Sequence, residues 1–398
     1  MDGETRYGPN RHGRCDGDFL RQSRLVKNGS SHGQPQAWCR AGGQRVTGRD
    51  GTASGDLHAE PATCEMASRA LAEGNALRRT ARMVHMAQDT ACDGWDRAAQ
   101  HGRQVLRYRW RDWPVTACQL DEWWRVVQTQ EPHLAMAKRG CETSGEAWIG
   151  TALAPVGRLV LACVVGKRPQ ERAHLWLKRV AHVTAQRLPW FTSDPWPASR
   201  TALRPVYGPW VQPARHGHRG RFPEPRRVPP PHLLEAPVVP HRRRGPGVAV
   251  TPKAVLGAPD AIAVHLASRP PSTTVNTREV AREKRPWRQH HRRLTRKTNG
   301  LSKALTWLET PLWRSLAYDH LVLPHESLRQ PLSVPEPTRG QGSKRRWQPV
   351  TPALAAGITA HVWTTPALLS SRVPAFFLDR LQAFDHLFQP IKDARQGR

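Results

Sequence analysis

The sequence predicts an α/β chain, a mixed sheet with flanking helices, and three observations carry that expectation. VTACQLDEWWRVVQ, GEAWIGTALAP and GRLVLACVVGKR are strand-like runs with turn residues between them, which suggests an antiparallel start to a sheet. PQERAHLWLKRVAHVTA follows, with Ala173, Leu177, Val180 and Ala181 at helical spacing. LPWFTSD then returns as a short strand that ends on Asp194.

Strand, strand, strand, helix, strand is the order of an RNase H-like core. In such a sheet Asp121, in the first strand, and Asp194, at the end of the fourth, lie side by side. Each has a plain alternative: Asp121 as a surface residue beside Glu122, and Asp194 as a turn or N-cap residue before Pro195.

The 398 residues allow two to four domains and at least one substantial core. A net charge of +29 points to a polyanionic partner, of which nucleic acid is the commonest for a basic chain. Arg far outnumbers Lys, and Ile, Asn, Tyr and Phe are scarce, so a GC-rich coding strand is the competing source of that charge. Arg binds phosphate whatever its origin. Seven scattered cysteines and no secretory leader in MDGETRYGPNRHGR fit reduced thiols in a cytoplasm. The longest apolar run, Leu159 to Gly166, is far short of the roughly 20 residues that span a bilayer, so no membrane is expected.

Residues 1–60 are rich in Gly, Arg, Ser and His and are expected to form a small module or nothing stable. Cys15-Asp16-Gly17-Asp18 and Cys39-Arg40-Ala41-Gly42 are each half of a CxxC knuckle, a zinc-ribbon-like remnant that keeps Cys15 and Cys39 and lacks the other two ligands. Zn²⁺ is therefore not expected. Residues 61–108 turn helical. CEMASRALAEGN places Met66, Ala70 and Leu71 on one face and stops at Gly74, LRRTARMV places Leu77, Ala81 and Val84 together, and Asp89 is a plausible N-cap for a third helix through DTACDGWDRAAQH. That is helix-turn-helix spacing, although an ordinary helical hairpin shares it, and Gly94 weakens the third helix. Arg78, Arg79, Gln88 and Thr90 are its candidate DNA contacts.

The expected catalytic domain spans 115–330 and is interrupted by a basic insertion at 209–247, where Pro, Arg, His and Gly dominate and no core can form. The insertion reads as an arm for DNA phosphates or as a solvated linker. VAVTPKAVLGAPDAIAVHLASRP suggests an edge strand and a short helix. WRQHHRRLTRKTNG is a basic helix candidate, with Arg288, Arg292, Arg293, Arg296 and Lys297 as DNA contacts. LSKALTWLETPLWRSLAYDHLVL clusters Leu301, Leu305, Leu308, Leu312, Leu316 and Tyr318 on one side, with Pro311 expected to kink it. Residues 331–398 form a C-terminal extension, a Pro/Gly-rich connector and a short amphipathic piece.

Together these strings resemble the DDE-type insertion-sequence transposases of bacteria over nearly the whole chain. EPATCEMASRALAEGNALRRTAR is similar to the family's helix-turn-helix entry, QLDEWW to the segment of its first catalytic Asp, and LVLACVVGKR and FTSD to the strands leading to its second. STTVNT and RQHHRRLTRKTNGLSKALTW resemble the flanks of its catalytic Glu, and LVLPHESLRQPL and TPALAAGITAHVW its C-terminal signatures. The resemblance implies two Mg²⁺ (or Mn²⁺) ions that activate a water or a DNA 3′-hydroxyl for in-line displacement at phosphorus. Asp121 would bridge both metals, Asp194 would hold one, and a Glu on the following helix would hold the other.

That Glu is absent. Reading the pattern without a gap from Asn276-Thr277 to Arg288-Gln289-His290 puts its position on Ala281, between Glu279 and Glu283. Two residues along a helix rotate a side chain about 200°, so Glu283 replaces it only through a register slip, and Pro286 makes the helix itself doubtful. The expected function is accordingly that of a transposase-like protein with an impaired catalytic centre. It would bind the double-stranded DNA of element ends, pair in a synaptic homo-oligomer, and sit on a bacterial nucleoid in the cytoplasm. The rivals are a DNA-binding remnant that represses transposition and a poorly folded basic pseudogene product.

Overall fold

Leu25–Ser31 (β1), Gln34–Cys39 (β2) and Gln44–Thr47 (β3) pair antiparallel in the order β1-β2-β3 in the computed structural model of the chain. The structure describes residues 25–31, 34–40, 43–47, 49–55, 57, 59–136, 143–194, 197–215, 217, 222–242, 248–252, 256–257, 259–267, 275–295, 298, 300–338, 342–374, 377–378 and 380–381. The chain divides into two units. One comprises residues 1–109, 310–324 and 361–398, and the other 110–309 and 325–360. The divisions fall at 109/110, 309/310, 324/325 and 360/361.

In the first unit Pro61–Ala72 (α1) starts on a proline, whose missing N–H costs nothing in the first turn. It stops at Gly74, whose φ of +92° only glycine adopts readily, with Gly74 N–H on Leu71 O at 3.3 Å and Asn75 N–H on Ala70 O at 3.1 Å. Leu77–Met83 (α2) ends in the same pattern, with His85 at φ +51° and Met86 N–H on Ala81 O at 2.9 Å. Gln88–Arg109 (α3) follows after that tight turn. The buried face of α1 is Ala67, Leu71 and Ala72; Met66, expected on it, is 58% exposed. Arg314 caps the C-terminal end of α1, donating to Leu71 O at 2.7 Å, and stacks 4.2 Å over Trp95. α3 runs about two turns beyond the expected stop near His101, since Val105 and Leu106 are buried and lengthen its apolar face. Gly94 is accommodated in its middle beside Leu57.

The second unit is built on a six-stranded sheet. Ala117–Val127 (β4), Gly145–Ala154 (β5) and Leu159–Gly166 (β6) form its antiparallel half. Gln170–Val183 (α4) then crosses to Trp190–Ser193 (β7), parallel to β4. All these elements match the expected runs, and Ala173, Leu177, Val180 and Ala181 are fully buried on α4. Pro197–Tyr207 (α5) packs with α4. Trp210–Val211 (β8) and Arg226–Arg227 (β9) make an exposed ribbon.

Within the stretch expected to stay outside the core, Glu235–Arg242 (β10) pairs parallel with β7, with Glu235 opposite Phe191. Ala236 and Val238 supply its buried apolar side chains and Leu233 one just before it, so the insertion proper ends before Leu233. Average composition hid these apolar residues among prolines. Val248–Pro252 (β11) pairs antiparallel with β10 and closes the order β11-β10-β7-β4-β5-β6 as an edge strand, as the sequence suggested. Pro240 is tolerated next to that edge.

Pro259–Ala267 (α6) and Arg278–His290 (α7) follow. Pro286 does not prevent α7: Val280 and Trp287 are fully buried, and that packing outweighs the hydrogen bond lost at the proline. α7 ends at His290, so the basic helix expected across Trp287–Gly300 stops early and turns as a single 3₁₀ turn over Arg292–Leu294. Thr306–Leu321 (α8) is continuous through Pro311. It is buried on nearly all sides, with Arg314, Ser315 and His320 inside as well as its leucines, so the one-sided apolar face expected for it is not what it forms. Gln330–Glu336 (β12) and Arg345–Gln348 (β13) make a second exposed ribbon, and the short helices Pro352–Ala355 (α9) and Thr365–Ser370 (α10) close the described chain.

Candidate functional site

Strand pairing brings the two acids together. β4 and β7 run parallel with Leu120 opposite Ser193, so Asp121 and Asp194 are the next residue on each strand. Alternation along β4 turns Gln119, Asp121 and Trp123 to the face that α7 covers, and Glu122 to the opposite one. Gln119 pins α7 in place. Its Oε1 accepts from Glu279 N–H at 3.1 Å and Val280 N–H at 2.9 Å, and its Nε2 donates to Asn276 O at 3.0 Å. Those are orphan donors of a helix N-terminus, so one buried amide registers the helix against the strand two residues before Asp121.

From that register α7 lays a stripe across the acids. Thr277 Oγ1 donates to Asp194 Oδ1 at 3.1 Å. Lys284 forms an ion pair with Asp121 and donates to the Glu122 carbonyl at 3.0 Å. At about 100° per residue, positions 277, 281, 284 and 288 fall within about 60° of one another. Ala281 therefore stands on the acid-facing stripe, exposed, between the two residues that touch the acids. Glu279 and Glu283 lie on the other side of the helix, where Glu279 forms an ion pair with Arg158 and the Glu283 charge acts on the same guanidinium. Glu283 is buried there, which places it away from Asp121 in this register.

The electrostatics are those of an acidic pair taken out of water. Burial raises the Asp121 carboxyl to about 6 against the lowering effect of Lys284, and the Asp194 charge raises it further. Burial likewise lowers the Lys284 ammonium, with Asp121 opposing. On the opposite face of the sheet Glu122 is raised to about 7 by burial, although Arg168 stands 2.9 Å away.

The chain matches no known family model, and no curated protein matches it significantly. Its own residues therefore carry the functional reading. Among the described residues no group of three or more His, Cys, Asp or Glu is gathered as a metal ligand set. The donors at the acidic pair are hard oxygens, the kind Mg²⁺ takes. Two metals about 4 Å apart need more carboxylates than Asp121 and Asp194, and an ammonium already stands on one of them. As they stand, these residues do not fit a two-metal centre.

The other candidates are spread out. Arg78, Arg79 and Gln88 are exposed at α2 and the start of α3, whereas Thr90 is half-buried and lines a pocket with Met86 and Trp95. Arg288 stacks 5.6 Å over Trp123, and Arg293 stacks over Trp307 and donates to its carbonyl at 3.2 Å, so both are used in packing. Arg292 is exposed. Arg296 and Lys297 lie outside the described residues, as does Cys15; Cys39 is fully buried at the end of β2. Sequence reading missed Gln119, Thr277 and Lys284. The signal for Lys284 was its place three residues after Ala281, on the same helical face, but REKR reads first as a solvated basic run. No helix among the described residues is long and apolar enough to cross a membrane.

Proposed function

We propose that the chain is a DDE-type transposase by descent, with an RNase H-like sheet, that binds DNA and does not cut it. The observation that carries this reading is the register of β4 and β7, which sets Asp121 beside Asp194 on the two central strands of a sheet ordered, from its first strand in the chain, 3-2-1-4-5-6. The helix laid across that pair presents Ala281 where a third carboxylate belongs. A methyl group ligates no cation, and Lys284 neutralises Asp121, so Mg²⁺ or Mn²⁺ chemistry is not supported by these residues. Double-stranded DNA is the partner that fits a charge of +29, with the exposed Arg78, Arg79 and Gln88 at the turn into α3 as contacts. Such a protein associates with the nucleoid and, if it pairs element ends, does so as a homo-oligomer. Occupying those ends without cleavage represses transposition.

The full chain is tested with duplex DNA by fluorescence anisotropy and for nicking in Mg²⁺ or Mn²⁺. The expected result is binding that weakens with salt, a slope that falls by about one on Arg78→Ala or Arg79→Ala, and no nicking. Cleavage that disappears in Asp121→Asn overturns the inactive assignment, and absence of DNA binding by a chain that melts cooperatively overturns the DNA-binding one.

A further inference from the structure

The acidic pair already has a cation. Asp121 and Lys284 are both buried, at 4% and 6% exposure, and the Lys284 ammonium reaches the Asp121 carboxylate and the Glu122 carbonyl from one position. A carboxylate and a backbone carbonyl beside a second carboxylate are the oxygens a hard divalent ion would take. α7, which carries the lysine, is held at its N-terminus by Gln119 and toward its C-terminus by Trp287, which packs 5.7 Å from Trp123 of β4. Displacing the lysine would strand a buried carboxylate without a counter-charge, which is strongly unfavourable.

We propose that Lys284 is the resident cation of this centre: it stabilises the Asp121–Asp194 pair and shuts divalent metal out. The lesion at the site is then double. Ala281 removes a ligand, and Lys284 occupies the space the ligand would serve, so Ala281→Glu alone leaves the centre closed. This inference rests on the reading of the acids as a former metal centre, while the ion pair itself does not.

Mn²⁺ binding is measured by electron paramagnetic resonance on the full chain, on Lys284→Met, and on Lys284→Gln, which keeps a donor for the Glu122 carbonyl and guards against a fold lost to an empty pocket. The expected result is at least tenfold tighter Mn²⁺ binding in whichever uncharged variant folds, abolished again by Asp121→Asn, and tighter still when Ala281→Glu is added. Equal affinities in the parent and the folded variant, including no binding by either, overturn the exclusion of metal by Lys284. Thermal melts without metal separate the two layers. Asp121→Asn introduced into Lys284→Gln should recover stability lost in the single variant; if it does not, the ion pair has no stabilising role. DNA binding is read independently by anisotropy, so failure of the family reading is distinguishable from failure here.

Discussion

Gln119 and Val280 are separated by 161 positions in sequence and joined by a 2.9 Å hydrogen bond from the Val280 N–H to the Gln119 side-chain oxygen. That bond, with its neighbour from Glu279, decides which residues of α7 meet the acids of β4 and β7. Replacing Gln119 by Ala leaves the buried N–H groups of Glu279 and Val280 without the acceptor they share and removes the donor to the Asn276 carbonyl. The unfolding free energy should fall by about 2–3 kcal/mol in urea denaturation, and Gln119→Glu, which keeps the acceptor, should lose less. A loss below about 0.5 kcal/mol in Gln119→Ala would mean that the sheet and Trp287 alone set the register.

Glu122 gives the chain a pH dependence of definite sign. Its folded-state carboxyl is raised from the ordinary 4.5 to about 7, because burial outweighs Arg168. The folded state therefore holds the proton more tightly than the unfolded chain, and the associated stability is complete below pH 4.5 and lost as pH rises through 7. The difference in melting temperature between the parent chain and Glu122→Gln should shift in favour of Glu122→Gln as pH goes from 4.5 to 7. A difference that stays flat, or moves the other way, would show that Arg168 holds the carboxylate ionised.

Gly102 tests the packing of α3 in the other unit. A Cβ built there would sit 2.9 Å from the Ala317 methyl, closer than packed carbon atoms tolerate. Ala is otherwise favoured over Gly in a helix by about 1 kcal/mol, so the two effects oppose each other. The overlap should win, with Gly102→Ala destabilising by about 1–2 kcal/mol net, and Ala317→Gly in the same chain should return part of the loss. Additive losses in the double variant would place the strain elsewhere.

Arg314 is fully enclosed, yet its guanidinium caps the end of α1 through Leu71 O at 2.7 Å and stacks 4.2 Å from Trp95. Burial draws its pKa down to about 9. Arg314→Met should cost about 2–3 kcal/mol, because the carbonyls it serves lose their donor. Arg314→Lys should not restore the parent melting temperature, since an ammonium cannot stack and bond in one plane. Full rescue by Lys would reduce the role of Arg314 to its charge.

The sheet half of this protein was legible because its signals are local. Apolar runs of strand length, the 170–183 helical spacing and the short return before Asp194 each depend on residues adjacent in the chain, and β4 to β7 appear where those patterns lie. β10 was not legible, because Leu233, Ala236 and Val238 are diluted by prolines that composition weighs equally. The buried face of α1 was not fully legible either: Met66 shares the helical spacing of Leu71, yet it is 58% exposed.

At the candidate site the division is sharper. Residue identities alone named Asp121, Asp194 and Ala281 as candidate positions, and alanine carries no group that could ligate a metal. Tertiary structure decided that the acids are neighbours, that Ala281 faces them while Glu283 turns to Arg158, and that Lys284 closes the pair. The physical reason is that a strand register and a helix rotation are set by long-range hydrogen bonds, here those of Gln119, whereas a charge in a basic run carries no mark of the carboxylate it will meet.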